Sequence, residues 1–163
     1  MPDKVYIGIG SNLGKKKENY LEALSRIAKI PNTKIIRESS LYESEPLGEA
    51  KHWYVNGAIE IETELKPEAL LEKLKNIERA MGRKKARKRW DARIIDLDIL
   101  LYHNLIVEKK NLKIPHPEMH KRRFVLVPLS EIGPQIIHPL LGMSISELMI
   151  NLKDEKRVSV MRV

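Results

Sequence analysis

Cysteine is absent from the 163 residues, which excludes disulfides, zinc–thiolate centres and a thiol nucleophile. Aromatic residues make up only 5% of the chain, with Phe124 the single phenylalanine. No apolar run approaches the roughly 20 residues that a membrane helix needs, so no membrane partner is expected. The opening stretch MPDKVYIGIGSN has a short apolar run and no small-residue cleavage site, so it reads as a first strand and not as a signal peptide. A cytoplasmic location is the corresponding expectation. There is no G-x-x-x-x-G-K-[ST] loop, so any bound nucleotide must have its phosphates held by side chains and metal. GIGSNLG is no dinucleotide fingerprint either. Leu13 stands where the third glycine belongs, and the strands that follow look antiparallel, so the segment reads as a tight strand-to-helix turn.

Positive charge is abundant. The chain carries a net +8 with a pI near 9.6. Lysines near 15–17, 109–110 and 153–156 fit a solvated surface, but the segment 83–93 is different. Arg83, Lys84, Lys85, Arg87, Lys88, Arg89 and Arg93 face only Asp91, concentrating much of the chain's excess charge in one arginine-rich cluster. Arginine presents a planar fork suited to phosphate, and a solvated loop of this charge would repel itself unless an anion is expected. Trp90 in its midst reads as a core anchor or as a lid residue over a substrate.

The cluster runs straight into Ile94–Leu101, an apolar strand interrupted by Asp96 and Asp98. Residues i and i+2 of a strand share a face, so both carboxylates project side by side. Buried and unpaired they would be costly, and a divalent cation is an economical partner. Their other reading is a pair of ion-paired aspartates at a strand end, with Arg93 as one partner. A hard metal site beside many phosphate-binding cations suggests nucleotide chemistry.

The length suits one domain spanning residues 1–163. Val5–Ile9 predicts a strand, and 17–30 a helix with Tyr20, Leu21, Leu24, Ile27 and Ala28 on its apolar face. A second strand is expected over Thr33–Tyr42 and a third over Tyr54–Glu64. Pro67 opens a helix reaching Met81, and Ile94–Leu101 is the fourth strand. A hairpin-like segment through Ile106 and Ile114 follows. Helices are then expected at Phe124–Ile132, with Pro128 near the start, and at Ser144–Asn151, with an edge strand over Arg157–Val163. The order β-α-β-β-α-β is the ferredoxin-like α+β arrangement, a mainly antiparallel sheet with helices on one face. His116, between Pro115 and Pro117, is held by restricted backbone, and with Arg122 it makes a second patch able to bind phosphate. His52, His103, His120 and His138 show no metal-ligand spacing.

Five blocks occur in one order: G-S-N-L-G, S-x-Y-x-S-E-P-L-G at 40–48, Y-V-N-G-A at 54–58, R-W-x-x-R-x-x-D-L-D-I at 89–99, and P-H-P-x-M at 115–119. Over nearly the whole chain, to about residue 140, the sequence resembles the 6-hydroxymethyl-7,8-dihydropterin pyrophosphokinases of folate biosynthesis. The resemblance implies transfer of the β,γ-pyrophosphate of ATP to the hydroxymethyl group of a reduced pterin, with release of AMP. It implies that Asp96 and Asp98 hold two magnesium ions, with Asp96 also close to the pterin. Arg83, Lys85, Arg93, His116 and Arg122 would bind ATP phosphates, and Ile99, Asn111, Leu112 and Lys113 would meet adenine through backbone. Arg89 and Trp90 match a catalytic loop that closes over the substrates, with Arg83 and Arg93 assisting catalysis. Tyr54, Asn56 and Phe124 would hold the pterin, completed by backbone at Ser44, Glu45 and Leu47. Lys85 stands where the family often has arginine, Asp91-Ala92 replaces a small residue followed by proline, and Pro117 replaces an aromatic. A monomer acting on small molecules, without nucleic acid, is expected. The rival reading is an RNA-binding module of the same fold using segment 83–93. It would want stacking aromatics on the middle strands and has no use for the two aspartates.

Overall fold

In the computed structural model, residues 2–46, 53–82 and 94–161 are described. Strand β1 (Asp3–Ser11) leads into helix α1 (Lys16–Ala28), followed by β2 (Thr33–Glu38), β3 (Tyr42–Ser44), β4 (Tyr54–Thr63), α2 (Pro67–Ala80) and β5 (Asp96–Tyr102). A two-stranded hairpin, β6 (Val107–Lys109) and β7 (Leu112–Ile114), comes next. One turn of 3-10 helix at Met119–Lys121 precedes α3 (Arg123–Ile132), α4 (Ile145–Ile150) and a last strand, β8 (Val158–Val160). The main sheet runs β5-β1-β4-β3-β8, and β2 also pairs with β4. Its pairings are antiparallel throughout. The first half is therefore the expected ferredoxin-like α+β order.

The second strand divides in two. β2 pairs with the far half of β4 and β3 with its near half. Between them the Ser39 hydroxyl accepts the Ala58 N–H at 2.9 Å, in place of a backbone carbonyl. A side chain that substitutes for the ladder interrupts the strand. Gly57 lies opposite this break, where an added Cβ would clash with the Tyr20 hydroxyl and lie 2.8 Å from Ser39 Oγ. β1 also extends beyond its expected end. Gly8 and Gly10 are paired strand residues, and the turn into α1 is made by Asn12–Lys15, where Gly14 has φ +71°.

Helices cover both faces of the sheet, not one. Val5, Ile7, Ile9, Val55, Ile59, Ile61, Leu97 and Ile99 pack with Tyr20, Ala23 and Ile27 of α1 and Leu70, Leu74 and Ile77 of α2. On the opposite face Tyr6, Ala58, Leu100 and Leu101 pack with Leu126, Leu129 and Ile132 of α3 and with Ile145 and Leu148 of α4. The reason lies in the strands, whose alternate residues are also apolar or small at one end and so need a second cover. A register shift between Tyr6 and Ile7 on the β1–β5 ladder turns both Leu100 and Leu101 toward this second core. α4 starts with a full capping box, Ser144 accepting the Glu147 N–H and Glu147 accepting the Ser144 N–H.

Pro128 is the sixth residue of α3 and not near its start. A proline inside a helix removes the bond to the carbonyl four residues back, here that of Phe124. That carbonyl is satisfied from outside the helix, accepting from Asn56 Nδ2 of β4 at 2.6 Å. Among the described residues no helix is long and apolar enough to cross a membrane.

Candidate active site

The second core fills only one end of its face. At the other end the sheet floor is open, and a cavity of about 510 Å³ lies between β1, β4, β5, α2, the β6–β7 hairpin and the start of α3. Cross-strand register builds the floor, with Gly10 opposite both Asp96 and Asn56, and Gly8 opposite Asp98 and Ala58. Without Cβ atoms, the two glycines leave the space between the carboxylates and the amide unfilled. Alternation along β5 sends Asp96 and Asp98 to the cavity while Leu97 and Ile99 enter the core. Burial of the carboxylates, expected from the apolar run around them, is not found, for Asp96 is half-buried and Asp98 exposed.

Asn56 is buried and its amide is held at both ends. Ser44 Oγ donates to Oδ1 at 2.9 Å, and Nδ2 donates to the Phe124 carbonyl, freed by Pro128. The two bonds fix which way the amide points. One N–H and one lone pair remain for a ligand. The Tyr54 and Phe124 rings lie nearly parallel, with centroids 6.2 Å apart and planes at 10°. A flat heterocycle between two rings needs about 7 Å, two contacts of ~3.5 Å, so a small opening admits one. Burial, and then the nearby Asp96 carboxylate, raise the Tyr54 phenol above its ordinary value, keeping it neutral.

Cations and hydrogen-bond donors crowd the remaining wall. The Arg122 guanidinium lies 5.8 Å from the Phe124 ring centroid. Lys75 of α2 and Lys110 and Lys113 of the hairpin segment line the same cavity. His116 lies below the usual imidazole range, through burial first and the Arg122 charge second. Its Nδ1 accepts the Glu118 N–H at 3.1 Å. In the neutral ring the proton therefore sits on Nε2, making that nitrogen a donor.

Of the residues expected from sequence, Tyr54, Asn56, Asp96, Asp98, Ile99, Asn111, Leu112, Lys113, His116, Arg122 and Phe124 all line this cavity. Ser44 reaches it through Asn56. Glu45 is turned elsewhere, with its N–H donating to the Arg157 carbonyl at 3.0 Å and its carboxylate accepting the Arg157 N–H at 2.6 Å. Leu47, Arg83, Lys85, Arg89, Trp90 and Arg93 lie outside the described residues. Sequence reading missed Gly8, Gly10, Lys75, Lys110 and Glu78. Glu78 of α2 is buried and accepts the Leu97 N–H at 2.8 Å, which ties down β5 between the two aspartates. Its spacing with Leu70, Leu74 and Ile77 put it beside the apolar face of α2, the one available signal.

Among the described residues no three His, Asp or Glu side chains converge into a ready-made metal cage. Two hard oxygen donors on one strand face, opening on a cavity rimmed with cations, suit magnesium. That ion is usually held by one or two carboxylates together with substrate phosphates.

The fold and cavity together define an α+β protein whose cleft suits a polyanion at one end and a flat, amide-edged ring at the other. A family model, 7,8-dihydro-6-hydroxymethylpterin-pyrophosphokinase, matches residues 6–134. The chain is 44% identical over 156 residues to the 2-amino-4-hydroxy-6-hydroxymethyldihydropteridine pyrophosphokinase of Haemophilus influenzae, covering 95% of this chain and 96% of that protein. Identity to the Aquifex aeolicus protein of the same name is 40% over 137 residues, or 83% of this chain and 84% of that one. A crystal structure of Plasmodium falciparum HPPK-DHPS superposes with a TM-score of 0.74 at 17% identity. It covers 93% of this chain, which spans 43% of the Plasmodium chain, and that likeness speaks for the fold. The chain belongs to the 7,8-dihydro-6-hydroxymethylpterin-pyrophosphokinase family.

Proposed function

We propose that the chain is a pyrophosphokinase of folate biosynthesis that transfers the β,γ-pyrophosphate of ATP to 6-hydroxymethyl-7,8-dihydropterin. The hydroxymethyl oxygen attacks the β-phosphorus and loses its proton, the bond between that phosphorus and the α–β bridging oxygen breaks, and AMP leaves with the bridging oxygen. The observation that carries the site assignment is the meeting, in one cavity, of the Asp96–Asp98 pair, the Tyr54–Phe124 plates and the oriented Asn56 amide.

Asp96 and Asp98 would hold two Mg²⁺ ions, which when bound neutralise the triphosphate and make the hydroxymethyl group a better nucleophile. Asn56 reads the amide-like edge of the pterin with its remaining donor and acceptor, while Phe124 and Tyr54 take the two ring faces. Ser44 acts through Asn56. Glu45 and Leu47 are assigned on the resemblance alone. Lys113, Arg122 and the Nε2–H of His116 hold phosphate oxygens. Backbone at Ile99, Asn111, Leu112 and Lys113 receives adenine. Arg83, Lys85, Arg89, Trp90 and Arg93 are assigned on the resemblance to the segment that supplies further cations and excludes water. Family membership favours this small-molecule reading of segment 83–93 over RNA binding. A single domain working as a monomer in the cytoplasm completes the proposal.

The test is incubation with ATP, Mg²⁺ and the reduced hydroxymethylpterin. AMP and the pyrophosphorylated pterin are expected in equal amounts. ADP release, or no turnover with the pterin present, refutes the reaction.

A further inference from the structure

The matched family region ends at residue 134, yet the last described stretch, 151–161, reaches back to both sides of the pterin end of the cavity. β8 pairs with β3, setting Val158 opposite Ser44 and Val160 opposite Tyr42. The Met161 N–H donates to the Leu41 carbonyl at 2.8 Å. Arg157 binds Glu45 through its backbone N–H and its Nε, at 2.6 and 3.2 Å, and its guanidinium lies 5.2 Å from the Trp53 ring centroid. This side of the strap supports β3, whose Ser44 orients Asn56.

The other side of the strap ends at α3. That helix begins without a cap of its own, since Arg122 at the N-cap position makes no side-chain cap bond and the first turn holds no acidic residue. Its leading N–H groups are the orphan donors of any helix start, and an anion there also meets the positive end of the helix dipole. Asp154 supplies the missing group from 31 residues away, its Oδ2 accepting the Arg123 N–H at 3.0 Å. Its Oδ1 accepts the Lys156 N–H at 3.0 Å, which folds the strap into a turn that aims the carboxylate. The capped residue stands between Arg122 and Phe124, and the Phe124 carbonyl is the one that Asn56 holds.

We propose that Asp154 is a positioning residue for the pterin: by capping α3 from the C-terminal strap it sets Phe124 opposite Tyr54 and keeps the Phe124 carbonyl in register with Asn56. The inference rests on the pterin assignment above. Asp154 touches no substrate and acts only through the first turn of α3.

The full chain carrying Asp154→Ala, Asp154→Asn or the exposed neighbour Glu155→Ala is compared with the parent by steady-state kinetics, calorimetric titration with the reduced hydroxymethylpterin, and thermal melting. Asp154→Ala should raise both KM and Kd for the pterin about fivefold, the scale of one lost cap, while kcat and the KM for ATP stay within about twofold. Asp154→Asn, which keeps a carbonyl acceptor, should recover most of that loss, and Glu155→Ala should match the parent. A lower melting temperature with unchanged pterin Kd overturns the proposal and leaves Asp154 as a plain helix cap. An ATP KM that rises as far as the pterin KM overturns it too. If Asp154→Ala does not fold, Asp154→Val, which keeps a branched side chain and offers no acceptor, decides with Asp154→Asn, and parental pterin affinity in the Val variant overturns the proposal. A parent that makes no AMP refutes the pyrophosphokinase reading, while the pterin titration still scores Asp154.

Discussion

The two faces of β1, β4 and β5 are written by alternate residues of the same three strands, yet one is a dry core and the other is half core and half site. Toward α1 and α2 the strands present Val5, Ile7, Ile9, Val55, Ile59, Ile61, Leu97 and Ile99. Toward α3 they present Tyr6, Gly8 and Gly10, then Asn56, Ala58 and Glu60, then Asp96, Asp98 and Leu100. The first set is bulky and apolar and its side chains fill the core, with only Ile9, Leu97 and Ile99 also reaching the cavity lining. The second combines small residues, which leave room, with short polar ones, which offer oxygen and nitrogen at fixed positions. A one-residue slip would exchange the two surfaces, so the packed face sets the register that the open face depends on.

That contrast can be broken from either side. The largest effect is expected from Asp98→Ala. Because the side chain is exposed, the melting temperature should hold within a degree or two, while turnover falls by on the order of 10³-fold as the proposed metal ligand is lost. Turnover within tenfold of the parent would remove Asp98 from the metal site. Ile59→Ala tests the dry face. The side chain is fully buried, so denaturant unfolding should show a loss of about 2–5 kcal/mol, with pterin affinity of the folded fraction unchanged. A selective loss of affinity instead would mean that the faces are not independent.

Phe124→Ala removes one of two plates spaced at 6.2 Å. Pterin affinity should drop about tenfold, the scale of one stacking contact, and the KM for ATP should move far less. An equal effect on both substrates would argue that Phe124 shapes the whole cavity.

The smallest effect is a shared pH dependence. His116 on the site face and the buried His138 in the connection between α3 and α4 are both held below the ordinary imidazole range, chiefly by burial, aided by the Arg122 and His120 charges respectively. Folded-state values below the unfolded one mean that the unfolded chain takes up protons first on acidification. Stability from these groups is present above about pH 6.5 and is lost as pH falls through the unfolded value toward the folded ones. Melting temperature measured from pH 7.5 to 5.5 should therefore decline, and His138→Gln should flatten the decline. A rise on acidification would contradict the assigned direction.

Legibility in the sequence follows from how local each signal is. The β-α-β-β-α-β order and the shared face of Asp96 and Asp98 depend only on periods of 3.6 and 2, which neighbouring residues carry. Gly10 misled because glycine marks turns as well as open strand positions. Only pairing with Asp96 and Asn56 distinguishes the two. Pro128 read as a helix start because a proline inside a helix leaves a carbonyl unbonded, and the donor that satisfies it, on Asn56, lies 68 residues away in β4. Glu78 appeared as one more charge on a helix until Leu97 of β5 supplied its N–H.

By itself the sequence determined the element order, the acidic pair and the family, because each resides in spacing along the chain or in motifs met in order. The tertiary structure alone decided that helices cover both faces, that glycines form the floor, and that a C-terminal strap caps α3. These depend on which strand lies beside which and on hydrogen bonds closed between distant residues, where the desolvated donor or acceptor on one segment gives no sign of the partner that another will bring.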